Sequence, residues 1–309
     1  MPSVIRNKTA MNLHLSDSVS IFKRAVRLWL DSNAGSYAGS LAFFTLFSLA
    51  PVIILAVKVT SLVMTSDAAM AEILAQLEST VGPAATDEIR NLIAKTESPG
   101  QGLLAGALSL MVIIIGATTV FAQMQRSMNT LWDVAPRPSR NTLIALIKSR
   151  LLSLTVVISL GFVLMVSLLL NVLVHSLMNY ASHWLPFHGS LAIGMEMLAS
   201  LLVISLLFAT MFRVLPDVVL AWRDVWLAAL ITAILFSIGR ALIAIYLTYT
   251  ATASTYGAAG SLVVLLMWVY YSSMILLFGA AMARALCEYR QVEVRPRSTA
   301  VRVRRELVH

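Results

Sequence analysis

The chain has 309 residues, of which 59% are hydrophobic and 12% charged, with mean hydropathy +0.82 and a formal net charge of +8. Soluble domains carry about 25% charged residues, so this balance excludes an ordinary water-soluble protein and indicates a membrane protein. The basic surplus does not indicate nucleic-acid binding, because it lies beside apolar runs, where anionic headgroups attract Lys and Arg.

The first 34 residues are polar and basic, with no cleavable signal sequence in view, so the first apolar run is expected to act as an uncleaved anchor. Within residues 19–30, Ile21, Phe22, Ala25, Val26, Leu28 and Trp29 surround Lys23, Arg24 and Arg27. This pattern predicts a helix in the cytoplasmic interface, with Trp29 at headgroup level. The run at 36–63 exceeds the ~20 residues that cross a bilayer core of about 30 Å. On a helical wheel Ser36, Ser40, Pro51, Lys58 and Ser61 share one wedge. Pro51 removes a backbone hydrogen bond and is expected to kink the helix. The polar wedge is either a pathway lining or ordinary small-residue packing, and packing is favoured.

Residues 64–101 carry six acids and helical apolar spacing in two halves split at Gly82-Pro83, which predicts two amphipathic helices capping the outer face. The second run, 102–124, ends in a polar stripe, Thr119, Gln123, Arg126 and Thr130, followed by Asn129 and Trp132-Asp133. That stripe is either a helix emerging into headgroups or a cytoplasmic gate or docking site. Further runs lie at 151–174, 191–212, 225–249 and 257–283; the second outer gap, 175–190, is read as an interfacial loop and the third, 250–256, as a tight polar turn. The single cysteine, Cys287, forms no intrachain disulfide, and the tail from 290 onward lacks apolar periodicity and is expected to be disordered.

Nineteen of the 21 Lys and Arg outside the runs fall in residues 1–35, 125–150, 213–224 and 284–309, and two in the alternate gaps. The positive-inside rule then puts both termini in the cytoplasm. The expected fold is all-α, a polytopic bundle of six transmembrane helices, N-in and C-in, with an amphipathic helical hairpin outside. Its divisions are a cytoplasmic segment 1–35, a membrane domain 36–286 with the outer insertion 64–101, and a basic tail 287–309.

Ionisable residues inside spans are costly and mark candidate sites. There are three, Lys58, Glu196 and Arg240. The fourth and fifth spans run antiparallel, so Glu196 and Arg240 are within reach of pairing. Arg240 shares its face with Ala233, Ser237 and Ala244. The alternatives are structural anchoring with snorkelling and a polar cavity in which Arg240 binds an anionic group. His175, His183 and His188 in the second outer gap lack the companions of a zinc site. No phosphate loop, dinucleotide fingerprint, HExxH or GxSxG occurs. Asp133, Asp217 and Asp224 do not form the paired cluster of a two-metal nuclease. No catalytic, cofactor or metal site is expected, and no enzyme.

Ser40-Leu41-Ala42-Phe43-Phe44-Thr45-Leu46-Phe47-Ser48-Leu49-Ala50-Pro51 resembles the first-span pattern of the YihY/BrkB family of bacterial inner-membrane proteins, once misnamed ribonuclease BN. A second similar region starts at Leu215-Pro216-Asp217 and Trp222-Arg223. It continues through Gly239-Arg240, Tyr246, Ser254-Thr255-Tyr256-Gly257, Trp268-Val269-Tyr270 and Leu277-Phe278-Gly279-Ala280. Asn129-Thr130-Leu131-Trp132 matches the family's N-x-x-W. The resemblance covers about 25–286 and implies six helices with cytoplasmic termini. It also makes Arg240 and Tyr256-Gly257 family positions. Many members have an acid where this chain has Ala281, so coupling through that acid is not expected here. Members are described variously as transporters, envelope or virulence factors, and movers of lipid or glycolipid. The expected function is a translocator or exporter of an amphiphilic or anionic solute in the inner membrane. The alternative is a non-transporting envelope scaffold. Expected partners are anionic lipid headgroups on the cytoplasmic side and an unknown solute, with homo-oligomerisation left open.

Overall fold

A computed structural model describes residues 15–61, 64–81, 83–96, 103–137, 189–250 and 257–303. The described chain is mostly helical: α1 (Leu15–Asp31), α2 (Ala34–Thr60), α3 (Ser66–Val81), α4 (Pro83–Thr96), α5 (Leu103–Leu131), α6 (Gly189–Val214), α7 (Trp222–Thr250) and α8 (Gly257–Tyr289). Four short strands complete it: β1 (Val134–Pro136), β2 (Val218–Val219), β3 (Arg295–Pro296) and β4 (Ala300–Arg302). Five of the six apolar runs coincide with α2, α5, α6, α7 and α8, while 151–174 lies outside the described residues, as does Tyr256. Among the described residues three helices are long and apolar enough to cross a membrane, over Ala34–Lys58, Trp222–Ile243 and Val263–Tyr289.

Helix α1 buries Ile21, Ala25 and Leu28, one face at helical spacing, against the end of α8. It stops at Asn33, whose φ of 54° is the left-handed conformation common just past a helix end. This helix is packed against α8 along that face. Trp29 stacks edge-on against Phe278, and its indole nitrogen is buried without a partner among the described residues. Phe22 and Leu30 remain exposed on the other side.

Two apolar cores form. The first joins α1, the last turns of α5 and α6, the start of α7 and the end of α8 around Met128, Phe212, Leu215 and Val225. The second joins the far half of α2 and the start of α8 to α3 and α4 through Ile54, Val57, Ala69, Ile89, Leu265 and Trp268. Pro83 occupies the first turn of α4, where its missing N–H costs nothing. Helix α2 runs unbroken through Pro51, which is buried against α5. A Cβ on Gly116 would meet the Pro51 Cγ at 2.8 Å, so Gly116 is what lets α5 close on that ring. Pro51 is therefore engaged in the α2–α5 packing contact.

The tail is ordered over residues 287–303, contrary to the expectation of disorder. Helix α8 runs on to Tyr289, β4 pairs antiparallel with β1 just after α5, and β3 pairs with β2 in the turn between α6 and α7. The segment thus ties three helix ends together.

Candidate functional site

At the end of the bundle that carries the described tail, the polar residues form a connected network. Asp217, in the α6–α7 turn, is buried. Asn129 Nδ2 donates to its Oδ2 at 2.7 Å, and Gln125 Nε2 to its Oδ1 at 3.1 Å. The Asp217 N–H returns a bond to Asn129 Oδ1 at 2.8 Å, and its carbonyl accepts from the Arg297 N–H at 2.9 Å. Gln125 and Asn129 are four apart on α5, so one helix face supplies both amides. A buried carboxylate is tolerated because its oxygens are occupied in this way.

Beside it, Arg284 on α8 pairs with Asp133 at 2.7 Å and with Glu288, one turn along, at 3.1 Å. It also donates to the carbonyl of Leu131, one of the free acceptors at the end of α5. Glu288 accepts in turn from Arg24 of α1 at 2.7 Å. That hydrogen bond holds the Arg24 guanidinium above its ordinary pKa, against the opposing effect of burial. Asp133 has φ 51° and accepts the Val303 N–H, which anchors the tail. The tail and helix ends border a half-open pocket of about 740 Å³, lined by Trp132, Asp133, Arg284, Glu288, Glu293 and Arg302 among others.

The polar stripe on α5 is divided between two tasks. Gln123 Nε2 donates to Ser40 Oγ at 2.9 Å, and Thr130 Oγ1 meets the Tyr37 hydroxyl at 3.2 Å, so two candidate positions from separate runs meet in one α2–α5 seam. Thr119 returns its hydroxyl to the Ile115 carbonyl, and Arg126 is exposed. The Asp217 network was not singled out from sequence. Its signal was the amide pair at i and i+4 entering an otherwise apolar helix.

Arg240 lies 18 residues into α7, about 27 Å along it at ~1.5 Å per residue. At ~100° per residue it points within about 20° of Ala229 and Ala233, which are fully buried. The lipid-like stripe of α7, exposed Ile234, Ile238 and Leu242, points the opposite way. Arg240 is nevertheless exposed, with no ion pair or hydrogen bond among the described residues. Glu196 lies in α6, but its side chain is outside the described residues. Lys58 is exposed near the end of α2, again with no ion pair among the described residues. The structure brings Ser40 and Gln123 together but does not gather Arg240, Lys58 and Pro51 into one site.

The family model described as Virulence factor BrkB matches residues 25–304. A UPF0761 membrane protein of Ralstonia nicotianae is 27% identical over 82% of this chain, which spans 56% of that protein's length. A UPF0761 membrane protein of Alteromonas mediterranea is 26% identical over 89% of both chains. YfkH of Bacillus subtilis, named as a ribonuclease-like protein, is 26% identical over 79% of this chain and 86% of its own. No solved structure matches.

Proposed function

The chain belongs to the BrkB family of membrane proteins, and from that premise we propose that it is a translocator of an anionic amphiphile, such as a lipid, in the inner membrane. The carrying observation is Arg240. A guanidinium stays charged at any working pH. Here it points along the interior face of α7, beyond the closed alanines, and is exposed on that face. This supports a polar vestibule in the outer half of a six-span bundle, with Arg240 holding the solute's anionic group. The charge asymmetry of the gaps supports cytoplasmic termini, and the apolar contacts of α3 and α4 support their capping the outer end. The Asp217 and Arg284 networks, strapped by the tail, then close the cytoplasmic end. We assign no reaction: Asp217 and Asp224 are buried in their own hydrogen bonds, and Asp133 is held by Arg284.

The test uses proteoliposomes holding a fluorescent phosphatidylglycerol quenched from outside by dithionite. The full chain speeds loss of the inner-leaflet signal. Arg240→Gln slows it tenfold or more, the scale of losing a charged contact of about 1.5–3 kcal/mol, while thermal unfolding is unchanged. Rates equal to protein-free vesicles reject lipid as the solute. A loss in Arg240→Gln matched by an equal loss of fold rejects the binding role.

A further inference from the structure

We infer that the α6–α7 turn is a binding site for the headgroup of an anionic phospholipid. Residues 213–226 sort their charges by direction. The two acids are turned inward: Asp217 is saturated by Asn129 and Gln125, and Asp224, 5% exposed, accepts the Ala221 N–H. Of the arginines, Arg223 is turned outward and Arg213 is half-buried. Arg223 is 82% exposed and lies 3.9 Å from Asp224, too far for a tight pair. Arg213 places its guanidinium 4.6 Å from the centre of the Trp222 ring, and its carbonyl accepts from Arg297 at 3.0 Å, which adds a third cation to the same turn.

The outer rim of these charges is apolar. Val219, Trp222 and Trp226 are 63%, 44% and 40% exposed, and the two indoles lie four residues apart on one face of α7. Trp222 opens the span Trp222–Ile243, so both rings sit at the end of a membrane crossing, where tryptophans collect at headgroup level. A free anion would be met by the arginines alone. A phosphodiester carrying acyl chains is met by the arginines at its phosphate and by the indoles and Val219 at its glycerol and upper chain. The site rests on α6 and α7 as membrane spans and is independent of whether the chain translocates anything.

Full-length protein in an uncharged detergent is titrated with short-chain phosphatidylglycerol, with phosphatidylcholine of the same chains, and with sodium phosphate, and thermal unfolding is followed. Phosphatidylglycerol raises the midpoint saturably, and the other two do not. Arg213→Gln and Arg223→Gln each raise the half-saturating concentration roughly fivefold. Arg90→Gln, at an exposed arginine of α4 paired with Asp87 and away from this turn, leaves it unchanged. No shift with phosphatidylglycerol, an equal shift with phosphatidylcholine, or reproduction of the shift by phosphate alone overturns the site. If Arg213→Gln does not fold, Arg223→Gln decides: binding as tight as in the natural chain overturns it.

Discussion

Asn129 supplies one donor and one acceptor to Asp217, and no other described side chain replaces both. Asn129→Ala leaves a buried carboxylate short of its best donor and the Asp217 N–H unmet, which is expected to cost about 2–3 kcal/mol. Gln125→Ala removes a longer bond from a half-buried site and costs about 1 kcal/mol. Chemical unfolding in detergent ranks the two, and equal losses contradict the assignment. Gly239 lies directly against the Tyr271 ring, so that a Cβ there has no room. Gly239→Ala is expected to cost about 1–3 kcal/mol by overpacking, and Tyr271→Ala in the same chain recovers part of it. Additive losses in that double variant contradict the contact. Asp133, Asp217 and Asp224 are each engaged separately, so purified protein is expected to leave RNA intact with Mg²⁺ or Mn²⁺. Cleavage lost on substituting these three acids contradicts the non-enzymatic reading.

The helices were legible from sequence because a crossing helix needs a long apolar run, and run length survives without knowledge of neighbours. The ends of α2, α6 and α7 lie within three residues of the runs that predicted them. The strands were not legible: β2 and β3 are two residues long, too short for alternation to register, and their pairing joins residues about 77 apart. The same holds for α1, whose basic apolar pattern fits an interfacial helix and a helix docked on α8 equally well, until Trp29 is placed against Phe278. Deleting residues 292–309 removes both pairings, the Arg297 bonds to Asp217 and Arg213, and the Val303 bond to Asp133. Hydrogen exchange is expected to rise at Val134–Pro136 and Val218–Val219 and to stay unchanged in α3 and α4. A uniform rise, or none, contradicts a local strap.

The bundle is most tightly knit at the end bearing the tail, where one core and two charge networks meet, and the separate second core lies towards α3 and α4. Of the candidate positions, Ser40 and Gln123 proved to be partners, whereas the depth and surroundings of Arg240 depend on how helices diverge, which no single run encodes. The topology predicts that a cysteine at Ala85 is labelled from outside intact cells and one at Ser298 only after permeabilisation. The central claim is that Arg240 lines a vestibule open to the outside and closed to the cytoplasm. Its most direct test is Arg240→Cys, with natural Cys287 buried and silent, treated in spheroplasts with a membrane-impermeant thiol reagent. The account predicts rapid labelling from outside, slowed by an added anionic amphiphile. Labelling only in detergent, or only from inside-out vesicles, would contradict it.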